Sequence, residues 1–256
     1  VYCRPYAEDI FSVSHKSRIV QNFLNRESYF LLKTIWESTR KNNSFWINPW
    51  ESSQIAANKG LQMNLATKLG LKVPRTLMTS SSNEAKAFIR HAKARDKRVV
   101  IKTLSGLKNQ ERNERGGAFV TVISVDKLGT QNYPLLLQEY VEKQYELRIT
   151  VVGDKVFPCK ITSQESPREI TKIDWRVYDF ENVKFLPTEL PTSISQKCIQ
   201  LVKLLGLKYS AIDIIYEPDG QYRFLEINPN GLWLWIEELA RLPITDAIAD
   251  LLIRNL

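Results

Sequence analysis

Residues 209–228 read YSAIDIIYEPDGQYRFLEIN. Two runs rich in β-branched and aromatic residues, Tyr209–Glu217 and Tyr222–Asn228, flank the turn cluster Pro218-Asp219-Gly220, a pattern that predicts an antiparallel hairpin. With 218–221 as the loop, Tyr216 faces Arg223, Ile214 faces Leu225, and Asp213 lies opposite Glu226. Cross-strand partners sit ~5 Å apart at Cβ and point to one face. Asn228, two residues past Glu226, shares that face. Two carboxylates and an amide oxygen thus converge on an otherwise apolar hairpin. Carboxylates this close repel each other, and a hard divalent cation with a preference for oxygen relieves the repulsion. Magnesium beside phosphate oxygens is the natural candidate. An outward polar face paired with lysines is an equally good reading of the hairpin alone.

Upstream of this hairpin, Glu146–Val152 and Lys155–Ile161 read as strands joined by the two-residue turn Gly153-Asp154. Glu146 and Arg148 alternate onto one strand face, where Arg148 reaches either a phosphate or Glu139 or Glu142. Leu135–Gln138 and Ala118–Val122 are further strands, and Arg98–Lys102 is a short β-branched one ending in Lys102. Helices are expected over Asn22–Arg40, over Ser53–Leu69, from the S-x-x-E capping box at Ser81 to about Ala94, and over Ser193–Leu205 behind an S-x-x-Q box. Lys59 stands in the early turns of the second of these. Leu104–Gly117 reads as a mobile polar loop, and Ser163–Glu189 as mostly irregular. Hairpins mixed with separate helices indicate an α+β architecture rather than a doubly wound sheet.

Composition narrows the class. The chain has 256 residues, is 43% hydrophobic and 25% charged, and carries 36 Lys+Arg against 28 Asp+Glu. These are globular proportions with no run near the ~20 apolar residues of a membrane span and no secretory signal. The widely spaced Cys3, Cys159 and Cys198 suggest a reducing cytoplasm, and two histidines are too few for a His-rich metal site. The charge is uneven: residues 84–115 hold ten basic side chains against four acidic, and the last forty residues hold seven acidic against three basic. A basic lobe facing an acidic end suits an anionic ligand held between cations and a metal. The basic cluster lacks interleaved aromatics apart from Phe88, so a nucleic-acid partner is not expected, and without a spanning apolar run neither is a membrane one. Residue 1 is Val, and Val1–Arg4 reads as a strand end already in progress, the mark of a fragment.

The ordered set of Lys59 in ANKGLQ, Lys102 in VVIK, QEYV at 138–141, ELR at 146–148, Asp213 in AIDII and Glu226/Asn228 in FLEINPNG resembles the ATP-grasp superfamily. More narrowly, residues 58–79, IDWR at 173–176 and residues 228–252 look like the peptide ligases of the microviridin (graspetide) type. The resemblance implies an α+β ATP-grasp fold with ATP between two subdomains. It places a remnant of an N-terminal domain with a connecting helix at 1–45, a first lobe at 46–140, and a second lobe bearing the metal site at 141–256.

By the same resemblance, Lys59 and Lys102 hold ATP phosphates. Gln138, Glu139, Tyr140 and Val141 lie along the adenine, with Glu139 and Val141 at its edge, and Glu146 meets the ribose. Asp213, Glu226 and Asn228 hold Mg2+. Arg148 stabilises the transferring phosphoryl group, Asp174 and Arg176 sit near the acceptor, and 104–117 closes over the phosphates. The implied reaction activates a side-chain carboxylate and joins it to a hydroxyl or amine within a ribosomally made precursor peptide with an acidic core; a homodimer is allowed. The alternatives are a ligase that adds a free amino acid, as ribosomal-protein glutamate ligases do, or a nucleotide- or peptide-binding module without turnover.

Overall fold

The computed structural model describes residues 17–40, 44–104, 120–129 and 133–255. The expectations for Val1–Arg4 and for a loop closing over the phosphates fall on or largely on residues outside these.

The described residues begin with α1 (Arg18–Arg40), which starts four residues earlier than its apolar spacing suggests, followed by α2 (Trp50–Ala56) and α3 (Lys59–Lys68). The single helix expected over Ser53–Leu69 is therefore two. Asn58 breaks it, because its extended backbone and side-chain oxygen cap a new helix by accepting the Leu61 N–H at 3.0 Å. Lys59 is consequently the first residue of α3. Next come β1 (Thr76–Thr79), α4 (Ser82–Lys93), β2 (Val99–Lys102), β3 (Thr121–Ile123) and β4 (Leu135–Glu139). Ser81 caps α4 through the Glu84 N–H, as its capping box anticipates. These strands form a four-stranded antiparallel sheet in the order β1-β4-β2-β3. One face packs α4 through Ala85, Phe88, Ile89 and Ala92 against Val99, Leu135 and Leu137.

A second sheet contains β5 (Tyr145–Val152), β6 (Lys155–Ile161), β7 (Phe185–Pro187), β8 (Tyr209–Tyr216) and β9 (Tyr222–Asn228), in the order β7-β6-β5-β8-β9. Between these strands lie α5 (Glu169–Ile173) and α6 (Thr192–Leu204), and α7 (Leu234–Ala240) and α8 (Ile244–Ile253) close the described chain. The stretch expected to be irregular thus holds one turn and a half of helix and an edge strand. α6 starts at Thr192 after Pro191, and no side chain caps it, so the S-x-x-Q signal at Ser193 is not used as a box.

The hairpin register differs near the turn. Tyr216 pairs with Tyr222, Ile215 with Arg223 and Ile214 with Phe224; a bulge then absorbs Leu225, and Asp213 pairs with Glu226. The loop is one residue shorter than expected, and the bulge adds one residue back on β9. Gly220, at φ 84°, supplies the left-handed turn position.

One face of this sheet packs Leu147, Ile149, Ile212 and Phe224 against Ala56, Ala66, Leu201 and Val202 of α2, α3 and α6. Toward one end the other face packs Val152, Ile161 and Tyr209 against Ile236, Ile244 and Ala247 of α7 and α8. The rest of that face carries the polar side chains. Among the described residues no helix is long and apolar enough to cross a membrane.

Candidate active site

The inner faces of the two sheets border a cleft that is open at its mouth. Strand alternation decides what lines it. On the first sheet Val99 and Leu137 face α4, so Val100, Lys102 and Gln138 face the cleft. On the second, Leu147 and Ile149 are committed to the helices, which sends Glu146, Arg148 and their ladder partner Asp213 to the opposite side. Asp174, Trp175 and Arg176 enter from the segment after α5.

The centre is a charge cluster. Both Asp213 carboxylate oxygens accept from Arg148 Nη1 at 3.0 Å. Its partner is therefore Asp213, neither Glu139 nor Glu142. Across the hairpin, Glu226 accepts from Lys59 Nζ at 2.5 Å and lies 3.9 Å from Arg176 Nη1. Burial pushes Glu226 upward, yet Lys59, Lys102 and Arg176 outweigh it and hold the carboxyl at about 2. Asp213 goes the other way: burial and the Glu226 charge raise it, against the pull of Arg148. Lys102, donating to Gln138 Oε1 at 2.8 Å, is brought down to about 8, first by burial and then by the Lys59 and Arg176 charges.

Asp174 is buried, and its two oxygens accept from Arg176 Nε and Nη2 at 2.8 and 2.7 Å and from the Val120 N–H at 3.0 Å. The pair is thus an anchor that aims a half-exposed guanidinium, not a solvated surface contact. Glu146, also buried, accepts from Lys143 Nζ at 2.5 Å and from the Ser163 hydroxyl. Burial raises its pKa above the ordinary carboxylate value. Glu139 gives its carboxylate to Arg95 outside the cleft, which leaves its backbone at the edge. Tyr140 lies under the Arg98 guanidinium, 4.1 Å from its ring centre. Val141 lines the cleft, and its N–H has no partner among the described residues.

Several positioning residues are not visible in local sequence patterns. Gln62 donates to the Ile227 carbonyl at 2.9 Å and accepts the Ile227 N–H at 3.1 Å, completing the edge of β9 and pinning α3 so that Lys59 meets Glu226. Asn48 donates to Tyr209 O and Pro229 O and accepts the Lys208 and Tyr209 N–H groups, clipping the two ends of the hairpin together. A Cβ on Gly231 would stand 2.7 Å from Arg148 Nη2 and 2.5 Å from the Ala211 Cβ. Gly231→Ala is accordingly expected to displace the Arg148 guanidinium and lower turnover about tenfold, with a smaller change in ATP affinity; equal kcat for the two proteins would refute this.

The donor set fits magnesium. It is all oxygen: Asp213 and Glu226 in register and Asn228, in register with Ala211, on the same face. Asn228 is exposed, and its Oδ1 accepts only the Asn230 N–H among the described residues, leaving a second lone pair. Among the described residues no group of three or more His, Cys, Asp or Glu side chains gathers as a metal site, here or elsewhere, so the candidate set rests on two carboxylates and the Asn228 amide.

An antiparallel sheet pair that clasps a cation-lined cleft, with two acidic side chains on its floor, suits a polyanion such as a nucleotide phosphate held beside a divalent cation. Residues 56–252 match the family model of the RimK-like ATP-grasp domain, and the chain belongs to that family. It is an ATP-dependent ligase of the α+β ATP-grasp fold.

Among solved structures, it is similar to the macrocyclase MdnC from Microcystis aeruginosa MRC, bound with precursor peptide MdnA. The two are 31% identical with a TM-score of 0.79, over 94% of this chain and 74% of that one. A RiPP-associated ATP-grasp ligase of Chryseobacterium gregarium, in complex with ADP and a leader and core peptide, is 29% identical with a TM-score of 0.80, over 100% and 76%. The tetrahydromethanopterin:alpha-L-glutamate ligase of Methanocaldococcus jannaschii is 22% identical over 81% of this chain and 70% of its own length.

Proposed function

We propose that this ligase activates a side-chain carboxylate of a ribosomally made peptide and joins it to a hydroxyl or amine of the same peptide, forming an ester or amide crosslink. The observation that carries the reading is the convergence of Lys59, Lys102, Arg148 and Arg176 on the Asp213–Glu226 pair. A carboxylate is a poor electrophile. Transfer of the ATP γ-phosphoryl group gives an acyl phosphate and ADP; attack by the hydroxyl or amine on the carbonyl carbon then expels phosphate with the C–O bonding pair. Both steps concentrate negative charge, and preorganised cations lining the cleft stabilise it.

In this reading Lys59 and Lys102 hold phosphates, and the Val141 N–H and Glu139 backbone meet the adenine edge. Gln138 and Tyr140 lie along the adenine on the cleft wall, and Glu146 meets the ribose. Arg148 meets the transferring group. Asp213, Glu226 and Asn228 would hold Mg2+, which screens phosphate charge when bound. Arg176, anchored by Asp174, orients the substrate carboxylate through its planar fork. The peptide relatives support a peptide substrate, an acidic one suits the cationic cleft, and two buried unpaired thiols, Cys159 and Cys198, suit a reducing cytoplasm.

Mass spectrometry of a candidate precursor with ATP and magnesium tests the reaction: loss of water supports it. Gain of an amino acid supports the second reading, which the similarity to a glutamate ligase favours. No mass change and no ADP would leave a binding module. Arg176→Lys is expected to lower peptide modification about thirtyfold while ATP still binds, since an ammonium cannot reproduce the fork; modification at the wild-type rate would remove Arg176 from the acceptor site.

A further inference from the structure

Trp175 lies between Asp174 and Arg176 and lines the cleft beside them. From it an aromatic strip leads outward. Trp175 stacks on Trp235 with centroids 5.3 Å apart, and Tyr178 meets both rings edge-on at 6.2 Å. Phe180 stacks on Tyr178 at 5.0 Å and 8°, and Phe185 closes the strip edge-on to Trp235 at 5.5 Å. The inner end is buried, with Trp175 8% and Phe185 7% exposed, whereas Tyr178 is 47% and Phe180 61% exposed.

Lone exposed apolar residues need no explanation. A stacked pair continuous with the wall of a catalytic cleft is a different case. Its two outer rings are held parallel by a segment hydrogen-bonded at Thr171 Oγ1 to Val177 O and at Ser166 Oγ to Asp179. The platform is therefore preorganised and wet on one side, as a stacking subsite requires.

We propose that Tyr178 and Phe180 form a docking subsite for an aromatic or branched aliphatic side chain of the peptide substrate, a few residues from the carboxylate that Arg176 orients. The proposal rests on the peptide-ligase reading and adds a recognition rule to it. Occupancy by the substrate follows from continuity: Trp175 is shared by strip and cleft, and the half-exposed Arg176 at the inner end selects a carboxylate. The outward path suits about three residues of extended peptide at ~3.3 Å per residue. A chain whose carboxylate meets Arg176 carries its neighbours over Tyr178 and Phe180.

The test is a display library of acidic peptides, each holding one Thr and one Asp with random flanks, offered to the intact chain with ATP and magnesium. Captured and dehydrated members are sequenced separately. Expected is about tenfold enrichment of Trp, Tyr, Phe or Leu at a fixed spacing from the Asp, the scale of one aromatic contact. Tyr178→Ser/Phe180→Ser should erase it while ATP affinity and circular dichroism match the wild type.

Enrichment absent from the wild type, or unchanged in the double variant, overturns the proposal. So does a strip that instead joins two copies, seen as a dimer lost in the double variant with selection unaltered. Capture with the expected preference but no dehydration leaves the subsite standing and removes the crosslinking reaction, which separates the two claims.

Discussion

Glu226→Gln is expected to lower ATP-dependent turnover about a thousandfold, because it removes one of two charges that would hold the metal. The structure adds a sharper signature. Glu226 neutralises Lys59 and lies within the fields of Lys102 and Arg176. Glutamine frees those cations for phosphate. Metal-free ATP should therefore bind the variant at least as tightly as the wild type, while added magnesium no longer tightens binding. Titration calorimetry with and without magnesium reads both. Asp213→Asn should be equally inactive but less stable, by about 2–3 kcal/mol, since it leaves the buried Arg148 guanidinium without its counter-charge. Wild-type turnover in either variant at ordinary magnesium concentrations would make the hairpin structural and remove the metal site.

That pair was legible because strand alternation is simple. A period of two places Asp213, Glu226 and Asn228 on one face whenever the strands pair in that register, and the bulge at Leu225 restores the register after the shorter loop shifts it. The loop itself was misread because the four-residue and tighter closures of Pro218-Asp219-Gly220-Gln221 draw on the same turn residues. Helix ends were legible where a side chain closes them, as Ser81 does for α4. They were not where two helices share one apolar stripe, as α2 and α3 do through Ala56 and Ala66. The supports of the site were invisible for a different reason: Asn48 and Gln62 bond backbone more than 160 residues away. No local spacing encodes such bonds.

Lys102 carries the second large effect. Its ammonium is brought down to about 8 in the free protein by burial and by its cationic neighbours. Phosphate oxygens of ATP placed beside it favour the charged form, so the complex binds more protons than its separated parts. Affinity must then fall as pH rises above about 8, with log Kd increasing by up to one unit per pH unit until the raised value in the complex is reached. Below that pH the lysine is already charged and its contribution is flat. Calorimetry at pH 8.5 in buffers of different ionisation enthalpy should accordingly show net proton uptake. Lys102→Ala should weaken ATP binding about a hundredfold at pH 7 and abolish the uptake, because the missing group is a cation near phosphate rather than a packing element. Lys102→Arg separates charge from titration: a guanidinium stays protonated throughout, so much of the affinity should remain and the slope above pH 8 should vanish. Identical ATP dissociation constants for wild type and Lys102→Ala, or an unchanged slope in Lys102→Arg, would exclude Lys102 from the phosphate site.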